Sequence, residues 1–238
     1  MSNISSNFDR FLEAIHMKKK EHWALVLEGG AMRSVFTAGV LDAMHEILIP
    51  LIDDVIAVSA GTGCAISMLA GQKGRSANIF TNYLSDRRFV DFRRLLRGDD
   101  MMNLSYAIRE INTDLVPIDF EQYRQKKMRF LLSVVEANTG KTEYLEPNED
   151  QLIEAMIASC NVPYLTRGPA MYEGREYVDG GVAEPIPLRK AVQLGATKII
   201  VVSTRPIGFR KKPGNFMNTI LGKLYSEFKP IENLLLKE

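Results

Sequence analysis

From Trp23 onward the chain alternates short, uniformly apolar runs with longer stretches in which apolar residues recur every three or four positions. Runs of about five apolar residues bounded by turn formers read as strands buried on both faces, and the longer spacing reads as amphipathic helix. Trp23 to Leu27 (WALVL), Asp53 to Val58, Arg129 to Ala137 (RFLLSVVEA) and Thr197 to Val202 (TKIIVV) are the clearest strands, with a shorter one over Glu176 to Val178. Asn138-Thr139-Gly140 is a turn, and Lys141 to Leu145 reads as the hairpin partner of 129–137. Helices are expected over Val35 to Leu48, over the small residues Ala60 to Ala70, from an Asn148 cap through Ser159, and over Pro187 to Leu194 with Gly195 as its stop. Residues 76–112 read as helical with polar breaks. The first twenty residues read as an amphipathic helix with Phe8, Leu12 and Ile15 on one side. Strands that are apolar rather than alternating, separated by helices, imply an α/β fold with a largely parallel sheet covered on both faces. The hairpin near 130–145 adds a mixed edge.

Composition narrows the partners. The 238 residues suit one sizeable core, and 46 % apolar with 25 % charged residues is the balance of an ordinary globular protein. Thirty Lys and Arg against 29 Asp and Glu leave +1, too little basic excess for a nucleic-acid binder. Cys64 and Cys160 make no disulfide framework and fit a reducing compartment. Met1 to Lys20 holds no secretory core, and no run approaches the ~18 apolar residues of a membrane span. The expectation is a cytoplasmic protein that meets a membrane only at its surface. Arg87, Arg88, Arg93 and Arg94, interleaved with Phe89 and Phe92, are a candidate anionic-lipid contact. A solvated helix with an apolar face is the commoner meaning of such a run.

Three short motifs carry candidate chemistry. Ala57-Val58-Ser59-Ala60-Gly61 contains an S-x-G, which this composition supplies by chance about once. Its position, where an apolar strand gives way to a helix, is that of a nucleophile elbow. A serine cap on a small-residue helix is the bland alternative. Glu28-Gly29-Gly30-Ala31-Met32-Arg33 places glycines between strand and helix, where outward backbone N–H groups can receive an oxyanion. It is a poor dinucleotide turn, because Ala31 and Ser34 stand where glycines belong. Arg33 needs an anion, either Glu28 or a bound substrate, to sit near a helix N-terminus. Tyr177-Val178-Asp179-Gly180-Gly181 ends a strand in a flexible turn that can aim a carboxylate, or can simply be a turn.

Histidines then separate the mechanisms. His16, His22 and His45 all precede Ser59, so the Ser, Asp, His order of an α/β-hydrolase cannot be met. A serine hydrolase here needs another base. A Ser59–Asp179 dyad is the simplest, with Asp179 taking and returning the proton. His45 is a conceivable base on the 35–48 helix.

These stretches, LVLEGGAMRSVFTAGVLDAM, DDVIAVSAGTGCAIS and YVDGGVAEPIP in that order, resemble the patatin-like phospholipase family, particularly its bacterial branch, over roughly residues 23–205. The resemblance implies a three-layer α/β/α fold with a mostly parallel central sheet, flanked by an N-terminal extension (1–22) and a helical tail (206–238). It implies a Ser59 nucleophile, an Asp179 proton acceptor and an oxyanion hole at Gly29, Gly30 and Ala31 with Arg33. Ala57, Gly61, Gly180 and Gly181 support the motifs. Phospholipid or another acyl-ester lipid is the implied substrate, with no metal or cofactor. Ala57 and Ala31 replace glycines of the family pattern but remove no catalytic atom. They leave open a non-catalytic lipid- or protein-binding member, and a soluble esterase or thioesterase is a third reading.

Overall fold

The computed structural model describes residues 21–163, 165–210 and 227–237. The amphipathic helix expected over 1–20, and part of the expected tail, lie outside the described residues. Seven strands form one sheet: β1 (Trp23–Leu27), β2 (Asp54–Val58), β3 (Arg129–Glu136), β4 (Thr142–Leu145), β5 (Ala170–Tyr172), β6 (Arg175–Asp179) and β7 (Lys198–Val202). The order is β5-β6-β3-β2-β1-β7, with β4 also on β3. β1 pairs in parallel with β2 and β7, and β2 pairs in parallel with β3. β3 meets both β4 and β6 antiparallel, and β5 meets β6 antiparallel. The sheet is therefore a parallel half joined to an antiparallel half through β3, more mixed than the sequence implies. The reason lies in the connections: Asn138 to Gly140, with Gly140 at φ 69°, and Glu173-Gly174, at φ 47° and 76°, are tight reversals that permit only antiparallel neighbours.

Helices cover both faces. They include α1 (Ser34–Met44), α2 (Ala60–Leu69), α3 (Leu152–Ser159), α4 (Leu188–Gln193) and α5 (Lys229–Lys237). Side chains alternate along each strand, so Leu25, Leu27, Val55 and Ala57 face Leu41 of α1, Ile66 of α2 and Met156 of α3. Ala24, Val26 and Ile56 face Ala191 of α4 instead. This is the three-layer α/β/α arrangement. Ile231 and Leu235 of α5 are fully buried against Val135 and Val178, so this part of the expected tail is built into the fold.

Two expectations change. TKIIVV reads as a buried strand, yet β7 is the sheet edge among the described residues and Val201 is exposed. Residues 76–112 hold no long α-helix; wide π-type turns run over Ile79–Tyr83 and Ser105–Leu115, separated by loops and short turns. No helix among the described residues is long and apolar enough to cross a membrane.

Candidate active site

Ser59 sits at the junction of β2 and α2 with φ 54° and ψ −132°. A non-glycine residue at positive φ is strained, and strand-to-helix elbows hold a nucleophile in such a conformation. The chain folds this way because α2 comes very close to β1. A Cβ on Gly61 would lie 3.2 Å from the Glu28 carbonyl oxygen and 3.3 Å from Leu27, a tight fit that favours glycine there. Ala57 is fully buried within β2 and accommodated in the core, so its methyl does not obstruct the elbow. The Ser59 amide donates to Ser159 Oγ (3.3 Å), and Ser159 Oγ donates to the Ser133 carbonyl (2.9 Å). Thr62 returns two bonds to the Ser59 carbonyl, from its amide (2.8 Å) and its hydroxyl (2.7 Å).

Asp179 closes β6 and is 4 % exposed. Its amide donates to the Asn161 carbonyl (3.0 Å), and its Oδ1 accepts from the Gly181 amide (2.7 Å), capping the turn Gly180–Val182. Gly180 lies hard against β3: an added Cβ would meet Ser133 Oγ at 2.4 Å and the Ser133 carbonyl carbon at 2.6 Å. The turn thus presses the carboxylate against the strand that adjoins β2. Burial raises the Asp179 carboxyl from its usual range to about 6, opposed by hydrogen bonding from the Ser59 hydroxyl and the Gly181 amide. The Ser59 hydroxyl thus acts on the Asp179 carboxyl, and both residues line one cleft of about 530 Å³.

The Gly29 to Ala31 loop borders the same cleft. The amides of Gly29, Gly30 and Ala31 donate to no group among the described residues. A Cβ on Gly29 would sit 2.8 Å from the Ser59 Cβ, and one on Gly30 would sit 2.6 Å from Thr204 Oγ1. Ala31 holds φ 48°, a left-handed conformation that glycine takes more cheaply, so its amide is kept at a local cost of about 1–2 kcal/mol. Glu28 is buried and accepts from the Ser203 hydroxyl (2.6 Å) and the Thr204 amide, fastening this loop to the end of β7. Arg33 spends its amide on the Gly30 carbonyl (3.0 Å). Its exposed side chain lines the cleft beside Arg205, and burial and Arg205 together lower its pKa against the pull of Glu28.

Ser59 and Ala31 also line a second, apolar pocket of about 110 Å³, walled by Phe80, Leu104, Ile108 and Met156. The serine therefore stands between an open cleft and an apolar recess. No histidine among the described residues lines either space. His45 follows α1, and His22 bonds Asp54 at 2.6 Å near the start of β2. Burial first, then the Asp179 charge, pushes the Cys160 thiol up to about 12, and burial does the same to Cys64, so both stay protonated. Ser133, Ser159 and Asn161 had no motif to flag them, because their role lies in contacts between segments far apart in the chain.

The arginine run is only partly free. Arg88 pairs with Asp86 and Glu110 and lies over the Tyr106 ring, and Arg93 pairs with Asp91. Arg94 is half-buried and Arg87 is exposed.

Residues 25–192 match the family model described as patatin-like phospholipase. An uncharacterised Escherichia coli protein, YjjU, is 28 % identical over 89 % of this chain and 60 % of its own length. A probable lipid hydrolase of invertebrate iridescent virus 6 is 24 % identical over 74 % of this chain and 66 % of its own. A mouse omega-hydroxyceramide transacylase is 25 % identical over 69 % of this chain and 28 % of its own. The chain thus spans about three fifths of the length of the first of these relatives and less than a third of the last.

Proposed function

This chain belongs to the patatin-like phospholipase family, and we propose that it is a serine acyl-hydrolase of lipid esters working through a Ser59–Asp179 dyad. The observation that carries the reading is the meeting of the Ser59 hydroxyl and the buried Asp179 carboxylate beside the unspent amides of Gly29 to Ala31. Asp179 takes the Ser59 proton as the hydroxyl oxygen attacks the ester carbonyl carbon. The 29–31 amides receive the oxyanion, and the departing alcohol recovers the proton from Asp179 as the acyl-enzyme forms. A second alcohol or water, deprotonated by Asp179, then attacks the acyl carbon; the bond to Ser59 Oγ breaks and the serine recovers the proton from Asp179. Those two acceptors correspond to the names transacylase and lipid hydrolase carried by relatives. Stoichiometric labelling of Ser59 by a fluorophosphonate tests the reading, and an unreactive Ser59 in folded protein would favour the non-catalytic alternative. Micellar phospholipid compared with soluble esters and thioesters separates the esterase reading.

The pH profile follows from Asp179. The base works ionised, and burial has raised it to about 6. Log kcat/KM for a p-nitrophenyl ester is therefore expected to rise with unit slope below pH 6 and level off above it. An ordinary carboxylate would place the bend near pH 4. A profile flat from pH 4.5 to 8 would remove Asp179 as the base.

Peripheral membrane contact belongs to the same proposal. Phe209 lines the cleft with Arg33 and Arg205, Met32 and Ile207 are exposed next to lining residues in the chain, Phe36 is exposed on α1, and Arg87, Arg88, Arg93 and Arg94 would add charge. Removing Arg87 and Arg93 is expected to weaken binding to phosphatidylserine vesicles by about fivefold per charge, mainly at low salt. Phe36→Ser with Ile207→Ser is expected to weaken it at all salt concentrations. Vesicle sedimentation of wild type and both variants reads this directly.

A further inference from the structure

Arg75 is a buried cation. It is 6 % exposed, in the short turn Arg75–Asn78. Nη1 donates to Ser67 Oγ (3.1 Å), and Nη2 donates to Asn112 Oδ1 (2.8 Å) and the Val116 carbonyl. All three acceptors are neutral. Nε is buried with no acceptor, and among the described residues no carboxylate pairs with the group. Burial lowers its pKa to about 10, which leaves it charged at neutral pH. A buried cation without an anion is costly, and such a charge is normally paired.

Arg75 also lines the apolar pocket that Ser59 borders. We propose that Arg75 is the recognition group at the far end of an acyl pocket, selecting acyl chains whose far end carries a carboxylate. This rests on the Ser59 acyl-hydrolase reading and names its substrate class: half-esters of medium-chain dicarboxylic acids. An alkyl terminus gives the guanidinium neither an acceptor nor a counter-charge. A terminal carboxylate supplies both the acceptor and the missing negative charge.

The helix rise fixes the length. Arg75 grips Ser67, eight positions beyond Ser59 along α2. At 1.5 Å per residue that is about 12 Å. An extended chain advances ~1.3 Å per carbon from standard bond geometry, so acyl groups of about eight to ten carbons span the distance.

The experiment compares p-nitrophenyl octanoate with the mono-p-nitrophenyl ester of suberic acid in wild type, Arg75→Met and Arg75→Lys. The carboxylate-to-alkyl ratio of kcat/KM, taken within each protein, does not depend on the fraction folded. The suberate ester is expected to lead by about tenfold in wild type, the lead to persist in Arg75→Lys, and the ratio to fall at least tenfold in Arg75→Met. Octanoate leading in wild type, or a ratio that shifts less than tenfold in Arg75→Met, overturns the proposal while ester turnover leaves the acyl-hydrolase reading intact. If no ester is turned over and Ser59 takes no fluorophosphonate, that broader reading falls. The subsite is then read by free octanoate, whose one carboxylate can reach Arg75: it should raise the Tm of wild type above the effect of 1-octanol and should not do so in Arg75→Met. Equal effects of the two ligands overturn it.

Discussion

Replacing Ser59 with alanine is expected to lower ester turnover by about 10⁴-fold or more and to abolish fluorophosphonate labelling, with the fold retained. Asp179→Asn should fall by ~10³–10⁴-fold, because a carboxamide keeps the shape of the side chain and cannot accept the proton. The second variant carries an additional signature. Asp179 is buried and its pKa is raised to about 6 from 3.8. A folded-state pKa above the unfolded one means that the folded state binds the proton more tightly. The group therefore costs nothing below about pH 4, and its cost grows to its full size above about pH 6. Each tenfold difference in proton affinity is worth ~1.4 kcal/mol, so that cost is of order 2–3 kcal/mol at pH 8. Asp179→Asn should accordingly be as stable as wild type or more so at pH 8, with the difference shrinking toward pH 4. Thermal melts at both pH values alongside turnover check this. An inactive variant destabilised at pH 8 would point to a structural role for Asp179.

Gly180→Ala is expected to be the most damaging small substitution at the site. Its methyl carbon would lie 2.4–2.6 Å from Ser133 Oγ and from the carbonyl atoms of β3. β3 cannot retreat, since it is the junction of the parallel and antiparallel halves. Overpacking of this kind costs ~3 kcal/mol, which lowers Tm by about 6–12 °C in a chain of this size. Because Asp179 immediately precedes this glycine, turnover should drop with stability rather than independently of it. Differential scanning calorimetry with an esterase assay tests the pair. Gly63→Ala, where nothing lies within 4 Å of the added carbon, is the control.

Where the sequence was legible, the physics was local. WALVL, DVIAV and RFLLSVVE are apolar at every or nearly every position because both faces of those strands are covered, and each forms the expected strand. Strand-to-turn junctions pointed to Ser59 and Asp179, and both residues do end strands and line one cleft. What escaped was set by distance along the chain. The support of the Ser59 amide by Ser159, and of the Asp179 amide by Asn161, joins segments with no sequence signature in common. β5 escaped because Ala170–Tyr172 is too short to show a period. The π-type turns at 79–83 and 105–115 keep enough helical spacing to read as ordinary helix, although the backbone is wider. Arg75 resembled any surface arginine beside a glycine. Only its burial and its three neutral acceptors distinguish it.

The division of labour across β3 also bears on biosynthesis. The serine comes from the early-made β2 and α2, whereas the carboxylate arrives with β6 and reaches its place only when that strand docks antiparallel on β3. Such long-range pairing is entropically costly and closes late. On the proposed dyad, a nascent or partly unfolded chain would carry an unassisted hydroxyl, and ester cleavage would begin only with completion of the sheet itself.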